Sequence, residues 1–155
     1  MTDTTRYNET PLASNIWSWY GQDEYRRIIL LAGLGPALEF LALDAERQRV
    51  EISCCAECNL WSDYLDDLDG FVKHFPAYLA PALHQRLHIL LGRCEALCWE
   101  AYVGTPESNG FEHPQWQPLR EQARQVLDLL GWQTVREHID ELAQDCRAAL
   151  KKWPD

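Results

Sequence analysis

Two pairs of side chains are spaced for chemistry on one predicted helix: His84 and His88 stand four residues apart, and so do Cys94 and Cys98. Residues at i and i+4 share a helical face, and imidazole and thiolate are the ligands that zinc prefers. Cys54, Cys55 and Cys58 form a second thiol cluster upstream. Joined, Cys54, Cys58, His84 and His88 would make a metal-binding helical enzyme or sensor. The spacing argues against that union. Twenty-five residues separate Cys58 from His84, where a compact zinc finger leaves about 12–15. The midpoints of the two helical pairs lie about 15 Å apart at 1.5 Å rise per residue, so they cannot share an ion. The repeated Glu-x-x-His pattern of a di-iron bundle is also missing. Cysteines at helix interfaces serve as small hydrophobes, so these residues read as structural, and no cofactor is expected.

Nucleophilic catalysis has less support. The chain has no G-x-S-x-G elbow and no phosphate-cradling glycine loop. Asp66 and Asp67 are adjacent on a face that should be wet, where nothing would lift one of them into the range of a general acid. The chain reads as a non-enzyme.

Charge is more informative. Fourteen Lys and Arg against 24 Asp and Glu give a formal charge of −10 in 155 residues. Phosphate backbones and anionic lipid would be repelled, so neither nucleic acid nor membrane is expected as a direct partner, whereas a basic protein would be attracted. The acidity is concentrated: between Val50 and Val72 lie Glu51, Glu57, Asp63, Asp66, Asp67 and Asp69, with no Lys or Arg among them. A solvated helix face is the plain reading of such a run. As a docking surface it would steer a basic partner by its carboxylates, with Trp61 or Tyr64 as the aromatic anchor.

The elements that would carry these residues follow from apolar spacing. Residues 1–14 read as a flexible polar tail without the basic and apolar regions of a secretory signal. Residues 15–155 read as a single helical domain. Trp17 and Trp19 belong to an aromatic cluster that either closes over the core or presents a patch, the former being favoured by the cost of exposing it. A helix from Asp23 and Glu24 to about Ala32 is expected to end at Gly33 and Gly35, and Pro36 to open a second through Ala45. Val50 to Ser53 fits either an extended piece or more helix. Trp61, Tyr64, Leu65 and Leu68 share a helical face that Gly70 should end. Pro81 to Val103 carries apolar groups on nearly every side and predicts a buried central helix, with Trp99 inside. Gly104 to Gly110 marks a loop. Trp116 to Leu130, a stop at Gly131, a capping box from Thr134 and Glu137, and a stripe from Val135 to Trp153 predict an antiparallel helical hairpin, with Trp132 in the core.

The expected fold is therefore all-α, a single-domain bundle of about five or six helices around Pro81–Val103. Six cysteines and no export signal place it in a reducing cytoplasm. The expected role is an acidic protein-binding module. Its most concrete form is a stoichiometric inhibitor or immunity-type neutraliser of a basic, nuclease-like partner through the Glu51–Asp69 surface. Small acidic helical immunity proteins share this size, charge and helix content. Besides the metal-binding reading above, a chaperone for a secreted partner is the remaining alternative.

Overall fold

The structure, a computed structural model, describes residues 11–52, 59–105 and 110–152. Among these the fold is all-α, with eight α-helices and no strand. They are α1 (Ile16–Gly21), α2 (Tyr25–Ala42), α3 (Ala45–Glu51), α4 (Asp66–His74), α5 (Pro81–Glu95), α6 (Trp99–Val103), α7 (Trp116–Leu130) and α8 (Ile139–Lys152). A π-helical turn, Trp61–Leu65, runs directly into α4.

The hub is α2, not the predicted helix Pro81–Val103. Ile28, Leu31, Leu34, Ala37, Leu38, Phe40 and Leu41 bury nearly every side of α2, and α4, α7 and α8 all pack on it. The predicted central helix stops at Glu95, turns through Ala96 to Cys98, and resumes as the short α6. Leu83, Leu87, Leu90, Leu91 and Cys94 bury a single stripe of α5. Ile89 is 46 % exposed and Trp99 63 %, so the reading of an all-round apolar surface, with Trp99 in the core, is overturned. The Tyr102 hydroxyl donates to the Cys94 carbonyl at 3.0 Å, satisfying one of the acceptors left open where α5 ends.

Gly33, Gly35 and Pro36 do not separate two helices; α2 runs through all three. The glycines are there for close approach. A Cβ on Gly35 would stand 2.1 Å from the Trp132 ring, and one on Gly33 would stand 2.9 Å from Oδ1 of Asp67. Interior proline costs about 3 kcal/mol, and burial of the residues before and after it against the same neighbours outweighs that cost. Gly70 likewise lies inside α4 and is no terminator, because Phe71 is needed in the core and carries the helix on to His74.

The carboxy end of α2 lacks a glycine cap and is closed by side chains from elsewhere. Gln48, fully buried on α3, donates to the Phe40 and Leu41 carbonyls at 3.1 and 3.4 Å. Arg120 of α7 donates to the Leu43 carbonyl at 3.0 Å, and Arg124 to that of Ala42 at 3.1 Å. Two guanidinium groups thus sit where the helix dipole favours cations. Asp44 then caps α3, its carboxylate accepting from the Arg47 N–H at 2.9 Å. Val50 and Glu51 are helical, which resolves that part of the ambiguous stretch, and Ser53 falls outside the described residues.

At the amino end Leu12 and Ala13, placed in the expected tail, are buried, and residues 1–10 of that tail lie outside the described residues. Trp19 is buried while Trp17 is 61 % exposed, so the aromatic cluster is split between core and surface. Trp132 enters the core as expected. The last two helices do not form a mutual hairpin: α7 and α8 each pack on α2 and make little contact with each other. Nor does Thr134 cap α8. It lies in a 3-10 turn, Trp132–Thr134, its hydroxyl donating to the Gly131 carbonyl at 2.8 Å, and α8 begins at Ile139. The stop at Gly131 is as expected, with φ of 74°. A Cβ there would also meet Pro11 Cβ at 2.6 Å. Gly131→Ala should therefore destabilise by about 1–2 kcal/mol, the cost of a left-handed non-glycine residue, while Thr134→Ala should stay within about 0.5 kcal/mol. Urea midpoints of the two variants check this order.

Candidate functional site

The acidic stretch is built on the π turn and α4. Leu65 and Leu68 are fully buried and hold this segment against α2. A π turn fits one extra residue into a turn, which displaces side chains from the regular stripe; Trp61 and Tyr64 are accordingly only half-buried. Asp63 and Asp66 are exposed, and Asp67, also exposed in part, has its carboxylate turned onto α2.

These carboxylates are not equivalent. Asp69 is half-buried and paired with Lys73 at 3.0 Å, so its charge is locally neutralised. Asp67 leans on α2 at Gly33; burial, then the neighbouring Asp66, raise its pKa, with Arg147 opposing. Asp63 and Asp66 are in no ion pair within the described residues. Glu57 lies outside the described residues.

The two predicted anchors are already engaged. The Trp61 indole donates to the Tyr102 hydroxyl at 3.4 Å. Tyr64 stacks on Phe40, ring centres 4.3 Å apart and planes at 13°, and its hydroxyl donates to Glu51 at 3.4 Å. Burial, then Glu51, raise the Tyr64 pKa. Neither ring stands free of the surface, although Tyr64 lends one edge to a neighbouring cleft.

That cleft, about 460 Å³, is bounded by Phe40 of α2, Leu43 just past its end, Arg47 and Glu51 of α3, Tyr64 and Arg136. Its size suits a ligand pocket. Glu39 and Arg136 form an ion pair at its rim, and Glu51 is held by Tyr64. Glu39, Arg47 and Glu51 come from the consecutive helices α2 and α3, while Arg136 comes from a distant segment, which sequence spacing did not group with them.

Of the residues offered as metal ligands, Cys54, Cys58, His84 and His88, the two histidines lie within the described residues. Nε2 of His84 lies 2.9 Å from the Val72 carbonyl, tying α5 to the end of α4, while His88 is exposed. Cys54 and Cys58, with Cys55, lie outside the described residues. Among the described residues no three His, Cys, Asp or Glu side chains are placed to hold a metal ion. Cys94 and Cys98, expected on one helical face, are divided by the end of α5.

Cys98 has gained a partner that spacing did not show. Its sulfur lies 3.5 Å from Nε2 of His113, while Nδ1 of His113 accepts from the Gln115 N–H at 3.1 Å. A neutral ring that accepts at Nδ1 carries its proton on Nε2, so His113 donates to the sulfur and is in the wrong tautomer to take a proton from it. Cys94 is fully buried, and burial pushes its thiol up to about 12. Thiolate is the reactive form. Iodoacetamide at pH 8 should therefore label Cys98 in the native protein and leave Cys94 untouched until denaturant is added, as peptide mass mapping would show.

Among the described residues no helix is long and apolar enough to cross a membrane. Comparison with known protein families, with curated proteins and with solved structures finds no match to this chain.

Proposed function

We propose that the chain is an acidic protein-binding module of the cytoplasm that neutralises a basic protein partner one to one, in the manner of an immunity protein against a nuclease. The observation that supports this reading is the pair Asp63 and Asp66, exposed on a segment that Leu65 and Leu68 anchor in the core, with Asp67 beside them packed at Gly33. Carboxylates in no ion pair within the described residues, carried on a segment anchored in the core, favour fast, steered association with a cationic surface. Trp61 and Tyr64 act in this reading as supports for the pair, since their rings are committed to Tyr102 and Phe40. Glu51 and Tyr64 extend it to the rim of the cleft. Asp69, paired with Lys73, adds little to the field.

Affinity capture from the native host, with mass spectrometry, should return a basic protein at one copy per chain. The double reversal Asp63→Lys with Asp66→Lys should leave the circular dichroism and melting of the chain nearly unchanged, since exposed substitutions shift stability by about 0.5 kcal/mol or less each. Asp67 is left intact because its carboxylate packs at Gly33. The association rate for the captured partner should fall at least about tenfold at low salt, and the difference should shrink as the Debye length contracts from about 10 Å at 0.1 M to 3 Å at 1 M. An association rate equal to that of the parent chain at low salt would remove the basis for this reading.

A further inference from the structure

A second surface concavity, about 250 Å³, lies between α1 and the start of α8 and is lined by Trp17, Tyr20, His138, Glu141, Leu142 and Asp145. Ile16 and Trp19 bury the inner side of α1. Trp17 and Tyr20, three residues apart on the other side, are left 61 % and 37 % exposed. Large aromatic rings left outside a core that has room for Trp19 mark a contact surface. Opposite them, Glu141 and Asp145 are i,i+4 neighbours on one face of α8, both exposed and in no ion pair within the described residues. Leu142 is buried and forms the floor. Tyr20 meets Tyr25 edge to face at 5.8 Å, and Asp23 accepts from the Tyr25 hydroxyl at 2.8 Å, placing a further carboxylate near the aromatic wall.

The concavity is smaller than the roughly 300–1,000 Å³ typical of small-molecule sites and of the order of one long side chain. Aromatic faces attract cations, and the two carboxylates opposite set the sign of what enters. We infer that this groove takes the guanidinium of an arginine on a protein partner, stacked on Trp17 and Tyr20 and hydrogen-bonded to Glu141 or Asp145. Arginine fits better than lysine because its planar group stacks on a ring and forks onto a carboxylate at once. The inference rests on the reading of the chain as a module for a basic partner and supplies that partner's second contact, on elements separate from the Asp63–Asp66 strip.

The test uses the full-length chain and an acetylated, amidated Gly-Arg-Gly peptide at low ionic strength, followed through the indole N–H resonances. The Trp17 indole should shift saturably. Trp17→Ala, and separately Glu141→Gln with Asp145→Asn, should weaken binding by roughly three- to tenfold or more, the range that cation–π and exposed charge contacts supply. Asp63→Lys with Asp66→Lys should leave peptide binding within about twofold, a change well under the 1.4 kcal/mol that corresponds to tenfold. The matched Gly-Lys-Gly peptide should bind more weakly. An unshifted Trp17 resonance, binding insensitive to the groove substitutions, or equal affinity for the lysine peptide would overturn the assignment. A captured partner that responds to the Asp63 and Asp66 reversals but not to Trp17→Ala would overturn the groove alone and leave the proposed function standing. Retained peptide binding without any basic partner in the host would do the reverse.

Discussion

Arg120→Ala is expected to destabilise the protein by roughly 3–5 kcal/mol, the loss of about two charge-assisted hydrogen bonds from a buried guanidinium. Arg120 is 7 % exposed. Its guanidinium donates to Gln48 at 2.8 and 3.2 Å, to the Leu43 carbonyl, to the Phe111 carbonyl and to Gln117. Burial lowers its pKa, and Asp44 acts in the opposite direction. Alanine removes the Arg120 hydrogen bonds to the Leu43 and Phe111 carbonyls and to the Gln48 side-chain oxygen, and hydrogen bonds from a charged group are worth about 1.5–3 kcal/mol each. Arg120→Lys should recover only part of the loss, since a single ammonium cannot span acceptors at Leu43, on α3 and in the 110–112 turn. Gln48→Ala should be strongly non-additive with Arg120→Ala. Urea denaturation of the two single variants and the double variant measures the coupling. A loss under about 1 kcal/mol for Arg120→Ala would show that the end of α2 is closed by something else.

Gly35→Ala is the second large effect, and its sign runs against helix propensity. Alanine in place of an interior helical glycine should help by about 1 kcal/mol. Here the added methyl meets the Trp132 ring at 2.1 Å, so the indole or α2 has to move by more than an ångström within a close-packed interior. Overpacking of this kind costs about 1–3 kcal/mol, and the net change should be a loss of stability. Trp132 has little room to yield: it is 3 % exposed, and its indole nitrogen is buried without a hydrogen-bond partner among the described residues. Trp132→Phe removes the clashing part of the ring together with that unsatisfied donor. Combined with Gly35→Ala it should do better than the sum of the single changes, with a favourable coupling of about 1 kcal/mol or more. Thermal melts of the four chains decide it. If Gly35→Ala raises the melting temperature, the glycine is not there for the indole.

Periodicity of apolar residues was enough to establish that the chain is helical and where its most regular helices lie. Trp116, Leu119, Ala123, Val126 and Leu130 are all buried on one side of α7, and Gly131 stops it in a left-handed conformation. Leu65 and Leu68 were legible as core for the same reason, and the charge run named a carboxylate surface because exposed acids need no partner to be recognised in a sequence. What local pattern did not decide was which glycines terminate helices. Gly131 and Gly35 are the same residue type, and only the neighbour tells them apart: one bends the chain, while the other admits the indole of Trp132. A stop signal expresses a local preference of about 1–3 kcal/mol, and burial on both sides of Gly33–Pro36 exceeds it. The hub was likewise misplaced because an apolar residue counts equally in a sequence whether it meets the core, as Leu87 does, or water, as Ile89 does. The cap on α2 comes from arginines 77 and 82 positions away, and the groove joins Trp17 to Glu141. Both are products of how helices dock on α2, and no spacing along the chain encodes them.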